Sequence, residues 1–75
     1  MSSIYSVEYQ LVINILKSER LKAGLTQKQF AEKVGKPQSF ISKVESGERR
    51  LDFVEFIHLA RILSLDPCEI MLKIP

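Results

Sequence analysis

Leu25-Thr26-Gln27-Lys28-Gln29-Phe30-Ala31-Glu32-Lys33-Val34-Gly35-Lys36-Pro37-Gln38-Ser39-Phe40-Ile41-Ser42-Lys43-Val44-Glu45-Ser46-Gly47 decides the fold, because it reads as two short helices joined by a tight turn. Thr26 followed three residues later by Gln29 is a capping-box pattern, in which each side chain satisfies a backbone amide that the first helical turn leaves unpaired. Gly35 tolerates the left-handed geometry that stops a helix. Pro37 disfavours helix for Lys36, while its own fixed φ suits entry into the next helix. The spacing therefore predicts helices over 26–34 and 38–45, within a two-helix motif spanning 26–46.

Placed on a wheel at about 100° per residue from Gln38, residues Ser42, Ser39 and Lys43 fall near about 40°, 100° and 140°. Phe40, Val44 and Ile41 fall near about 200°, 240° and 300°. One face of the second helix is short and polar, the other apolar. Glu45 sits at the edge of the apolar arc and needs a cationic partner there. A helix that buries Ile41 and Val44 while offering Gln, Ser and Lys outward carries side chains suited to base edges in a DNA major groove.

Outward from the motif the pattern stays helical. Val12, Leu16 and Ala23, with Ile13 and Ile15 beside them, mark an amphipathic helix over 6–22, with Ser3 or Ser6 as its cap and Ala23-Gly24 as its stop. Arg20 lies on or beside its apolar face and is the candidate partner for Glu45. The next helix turns Phe30, Ala31 and Val34 inward. After the loop Glu48-Arg49-Arg50, a fourth helix over 52–63 shows Phe53, Phe56, Ile57, Ala60 and Leu63 at helical spacing, which means core. A fifth, over 67–73, begins with Asp66 as cap, Pro67 at the first position and Glu69 closing a capping box. No segment reads as a strand, so the expected class is all-α: one compact five-helix domain over 1–75.

Composition bounds the function. A chain of 75 residues with 45% hydrophobic content allows one small core. The single Cys68 excludes an internal disulfide and makes a reducing cytoplasm the natural setting, and no stretch suggests a signal peptide or a membrane span. The net charge of +2 is unevenly placed: residues 17–50 hold nine basic against four acidic side chains, residues 51–75 two against four. A polyanion is drawn to the half that contains the motif. Enzyme candidates are confined to His58 and Cys68, which read as structural or exposed residues. No spacing suggests a metal site, and no cofactor is implied.

At these residues the chain resembles the helix-turn-helix family of phage Cro and repressor proteins, also called XRE-type, over 16–72. The likeness rests jointly on Ala23-Gly24-Leu25-Thr26-Gln27, Phe30-Ala31, Gly35, Ile41-Ser42-Lys43 and Glu45-Ser46-Gly47. It is particularly similar to a bacterial subgroup with Gly35-Lys36-Pro37-Gln38-Ser39-Phe40 followed by Gly47-Glu48-Arg49-Arg50-Leu51-Asp52. The resemblance implies a lambda-repressor-like domain that binds double-stranded DNA as a homodimer and acts as a small transcriptional regulator, a repressor, with its third helix in the major groove. By position, Gln38, Ser39, Ser42 and Lys43 would face bases or adjacent phosphates. Gln27 would bond a phosphate and brace Gln38, and Ser46, Arg49 and Arg50 would lie near phosphates. Arg20 and Glu45 match a pair common in the family. Two positions depart from its pattern: Glu48 stands where many relatives carry Lys or Asn, and Pro37 replaces the usual Ser or Thr cap.

Side-chain chemistry fits those roles. Glutamine presents a donor and an acceptor together to adenine, and lysine donates to guanine O6 or N7. Lys28, Lys36, Arg49 and Arg50 would neutralise phosphates and release counterions. Phe40 has two readings, contact with a thymine methyl or packing beside the fourth helix. Ile70, Met71, Leu72 and Ile74 give the last helix more apolar surface than a chain of this size buries, which predicts a homodimer contact there; Ile4, Tyr5 and Tyr9 could instead fold back and cover it. Since some members of the family act as antitoxins or transcriptional bridging factors, the alternative is a module that binds a protein partner, a toxin or the transcription machinery.

Overall fold

Helix ends in this chain are set by side chains that satisfy backbone amides and by residues that take left-handed φ. In the computed structural model, which describes residues 7–75, five helices follow one another: α1 Val7–Lys22, α2 Gln27–Val34, α3 Gln38–Ser46, α4 Phe53–Ile62 and α5 Pro67–Leu72. The proposed caps Ser3 and Ser6, and the proposed cover Ile4 and Tyr5, lie outside the described residues. Thr26 Oγ1 accepts from the Gln29 amide at 3.0 Å while Gln29 Oε1 accepts from the Thr26 amide at 2.9 Å. Asp52 and Glu55 repeat this box at the head of α4, at 2.7 and 3.0 Å. The box expected between Asp66 and Glu69 does not close. Asp66 Oδ1 instead takes the amide of Cys68 at 2.9 Å, one position earlier than a box requires.

Helix exits share one hydrogen-bond pattern. At the end of α2 the Lys36 amide bonds the Ala31 carbonyl and the Gly35 amide that of Glu32; at the end of α3 the Glu48 amide bonds Lys43 and the Gly47 amide Val44. The residue inside each such turn needs positive φ, and Gly35 and Gly47 supply it at 82° and 87°. α4 closes in the same way, with the Leu65 amide on Ala60 and the Ser64 amide on Arg61. Here the left-handed position is held by Ser64, at φ 61°.

The core is built from one face of each helix: Ile13 and Leu16 of α1, Phe30, Ala31 and Val34 of α2, Phe40, Ile41 and Val44 of α3, Leu59 and Ala60 of α4 and Ile70 of α5, with Leu63 just after α4. Three expectations are corrected by this packing. Phe53 is 67% exposed, because the buried stripe of α4 is centred on Leu59 and Ala60 instead. Ala23 is exposed beyond the end of α1. Ile70, expected at a contact between copies, is 2% exposed and belongs to the core of its own chain. Among the described residues no helix is long and apolar enough to cross a membrane.

Candidate nucleic-acid interface

α3 is held by its apolar side. Phe40, Ile41 and Val44 are buried, so the opposite face, with Gln38, Ser39, Ser42 and Lys43, is exposed along the whole length of the helix. Its amino end has no side-chain cap, since Pro37 has no group to offer. Phe40 is thereby assigned: it packs inward and is not available to a thymine methyl.

A buried ion pair fixes how that helix sits. Arg20 of α1, 6% exposed, donates from Nε to Glu45 Oε2 at 2.7 Å and from Nη2 to Oε1 at 3.0 Å. Its Nη1 bonds the Leu25 carbonyl at 2.7 Å. Gln27 Nε2 adds a third donor to Glu45, meeting Oε1 at 3.0 Å. Such a fork satisfies both charges and leaves no buried side-chain N or O without a partner among the described residues. One carboxylate thus ties the end of α1, the start of α2 and the last turn of α3 into a single register. Gln27, expected to brace Gln38, is oriented by Glu45 instead, because an acceptor-only carboxylate demands the amide nitrogen.

Around this face the cations differ in kind. Among the described residues, Lys28, Lys36, Lys43 and Arg50 have no carboxylate within salt-bridge distance. Arg50 lies over the Tyr9 ring at 5.4 Å, and Lys36 lies over Phe40 at 5.5 Å. Ser46 Oγ contacts the Lys43 carbonyl at 3.2 Å and Glu48 Oε2 at 3.3 Å, so its hydroxyl is already engaged. Arg49 departs most from expectation. It is bidentate to Glu55, Nη1 to Oε1 at 2.9 Å and Nη2 to Oε2 at 3.0 Å, and its guanidinium lies over the Phe40 ring, 4.7 Å from the centroid. The Arg49 hydrogen bonds, helped by the Asp52 amide, hold the Glu55 carboxyl below the ordinary glutamate range. Glu55 in turn keeps Arg49 still more firmly protonated.

Glu55 and Tyr9 carry functional geometry that the sequence reading did not assign. Asp52 and Glu55 do have capping-box spacing, which would have located Glu55; nothing local announces that Tyr9 Oη accepts from the Leu51 amide, at 3.1 Å across the fold. His58 is an exposed residue with Nε2 3.4 Å from the Val34 carbonyl, and Cys68 is exposed. Away from α3, Met71 and Leu72 are exposed and Ile74 is half-buried. Met71 and Ile74, with Tyr9, Val12, Leu51 and Phe56, line an apolar groove of about 290 Å³.

Comparison with known proteins places this geometry among relatives. The sequence model of a family described as helix-turn-helix matches residues 16–70. Among solved structures, the "XRE-family like protein from Pseudomonas syringae pv. tomato str. DC3000" is 43% identical, with a TM-score of 0.83 over 89% of this chain and 82% of that one. No curated protein matches.

Proposed function

Since this chain belongs to the XRE-type helix-turn-helix family, a family of DNA-binding regulators, we propose that it is a sequence-specific binder of double-stranded DNA that represses transcription as a homodimer. One observation carries this reading: Gln38, Ser39, Ser42 and Lys43 form an exposed polar row on a helix whose other side is anchored in the core. Laid in the major groove, such a row meets base edges. Gln38 and Lys43 read them, and the two serines adapt to either partner.

Affinity comes from the rim. Lys28, Lys36 and Arg50 carry uncompensated charge around the row and neutralise phosphates. Gln27 keeps one amide hydrogen for a phosphate while the other serves Glu45, and Ser46 can turn its hydroxyl outward from Glu48. The uncapped amides at the start of α3 add donors of the kind that phosphates seek.

Selection of bound duplexes from a random pool tests the proposal. A defined, near-palindromic consensus is expected. Against that site Gln38→Ala and Lys43→Ala should each cost about 1–3 kcal/mol and relax the preference at one position. Recovery of no consensus, together with a stable complex with a co-purifying protein, would favour the protein-interaction module. Full discrimination by the Gln38→Ala protein would reassign the reading residue.

A further inference from the structure

The loop between α3 and α4 contains two adjacent arginines in unlike settings. Arg50 is exposed, lies over the Tyr9 ring, and among the described residues has no carboxylate partner. Arg49 is neutralised by a bidentate bond to Glu55, and its Nη1 also bonds the Arg50 carbonyl at 2.9 Å. Its guanidinium covers Phe40, on the underside of α3. The amides of Glu48 and Arg49 both bond the carbonyl of Lys43, at 2.9 and 3.1 Å, so the loop starts on the backbone of a residue in the exposed row. Glu55, itself locked by its box with Asp52, reaches that row through Arg49.

We propose that Arg49 and Glu55 form a positioning pair, which fixes the loop and the carboxyl end of α3 and leaves Arg50, not Arg49, as the loop's phosphate contact. This deepens and rests on the DNA-binding reading above. A phosphate brought to Arg49 would also approach the Glu55 carboxylate, and a cation whose charge that carboxylate already balances displaces few of the counterions condensed on DNA. Arg50 pays neither penalty. Its guanidinium, exposed above the Tyr9 ring, keeps N–H donors for an oxyanion.

Salt dependence separates the two roles. Binding to a short duplex of arbitrary sequence is measured across salt concentrations for the wild type, Arg49→Gln and Arg50→Gln. Arg50→Gln should reduce the slope of log K against log salt by about 0.9, the value for one phosphate, and Arg49→Gln by less than a third of that. On the duplex enriched from a random pool, Glu55→Gln should lower discrimination over arbitrary DNA about tenfold without flattening the slope. Equal losses of slope at Arg49 and Arg50 would overturn the proposal.

A second measurement needs no DNA. In Glu55→Gln and in Arg49→Lys, which keeps the charge but not the fork, the amides of Glu48 and Arg49 should exchange with solvent at least tenfold faster. The Leu25 amide, which closes the equivalent turn at the end of α1 on the Arg20 carbonyl, should be unaffected. Unchanged protection at Glu48 and Arg49 would overturn the positioning role. If the wild type bound no duplex at all, the DNA-binding reading would fall while this exchange result still decided the pair.

Discussion

Two carboxylates, Glu45 and Glu55, tie down the side of the fold that carries the exposed row of α3, and their settings make different predictions. Glu45 and Arg20 are each nearly out of water, with side chains 7% exposed. Removing either alone strands a charge, so Arg20→Ala or Glu45→Ala should destabilise the fold by about 3 kcal/mol in urea titration. Replacing both with apolar residues of similar size, Arg20→Met with Glu45→Leu, should recover most of that loss. A double variant as unstable as the sum of the singles would mean that the two do not act as a pair. Glu55 lies nearer solvent and predicts a pH effect. Its folded carboxyl titrates below the ordinary range because Arg49 and the Asp52 amide bind the ionised form, so the folded state releases this proton more readily than the unfolded chain. The stabilisation is complete above about pH 4.3, the unfolded value, and is lost as pH falls from there through the folded value. Wild-type stability should thus drop more steeply than that of Glu55→Gln over this window; parallel curves would show that the pair contributes nothing.

At the scale of elements, legibility in the sequence follows how local the determining contact is. The spacing bounds α2 and α3 to within a residue because Thr26-Gln29, Gly35, Pro37 and Gly47 act within a single turn. The apolar faces of α2 and α3 were equally readable, since Phe30, Ala31, Val34, Ile41 and Val44 leave one consistent stripe. α4 was different. The helix is apolar on several sides, so the wheel permits more than one buried stripe, and only packing against α2 and α5 selects the one centred on Leu59 over Phe53. The Arg49–Glu55 fork bridges a loop, where helical spacing gives no signal. The exit of α4 was also silent, because serine is not the residue expected at positive φ. That yields a test: Ser64→Gly relieves a left-handed serine and should stabilise the protein by about 0.5–1 kcal/mol. Gly47→Ala, where a Cβ would meet open space yet φ is 87°, should destabilise by about 1–2 kcal/mol. Melting temperatures that moved the same way for both would show that backbone strain does not set these ends.

For the whole molecule, the proposed homodimer requires a contact that holds two copies of α3 on one duplex. The burial of Ile70 leaves Met71 and Leu72 as the outward apolar residues of α5, Leu72 being 84% exposed, with Phe53 and Val54 exposed on α4. Beside them runs the groove lined by Phe56, Met71, Ile74 and Tyr9. A projecting leucine next to an apolar groove has the self-complementarity that two-fold association requires, since each copy supplies both parts. The same segment is net negative and unsuited to phosphate, so in the proposed complex it would be free to face a second copy while α3 faced DNA. With this contact two copies of α3 would fall about 34 Å apart, and half-site centres would lie about ten base pairs apart in the operator. Leu72→Glu would place a charge in the proposed contact and should weaken association by about 2 kcal/mol or more, with little effect on monomer stability because Leu72 is already in water. The rival cover, residues 1–6 folding back over the groove, is separated by a variant that lacks them: a dimer through α5 survives that deletion. Sedimentation equilibrium of the wild type, Leu72→Glu and the shortened chain decides the matter. A wild type that remained monomeric at tens of micromolar, and bound an isolated half-site with full affinity, would remove the dimer from the proposed function.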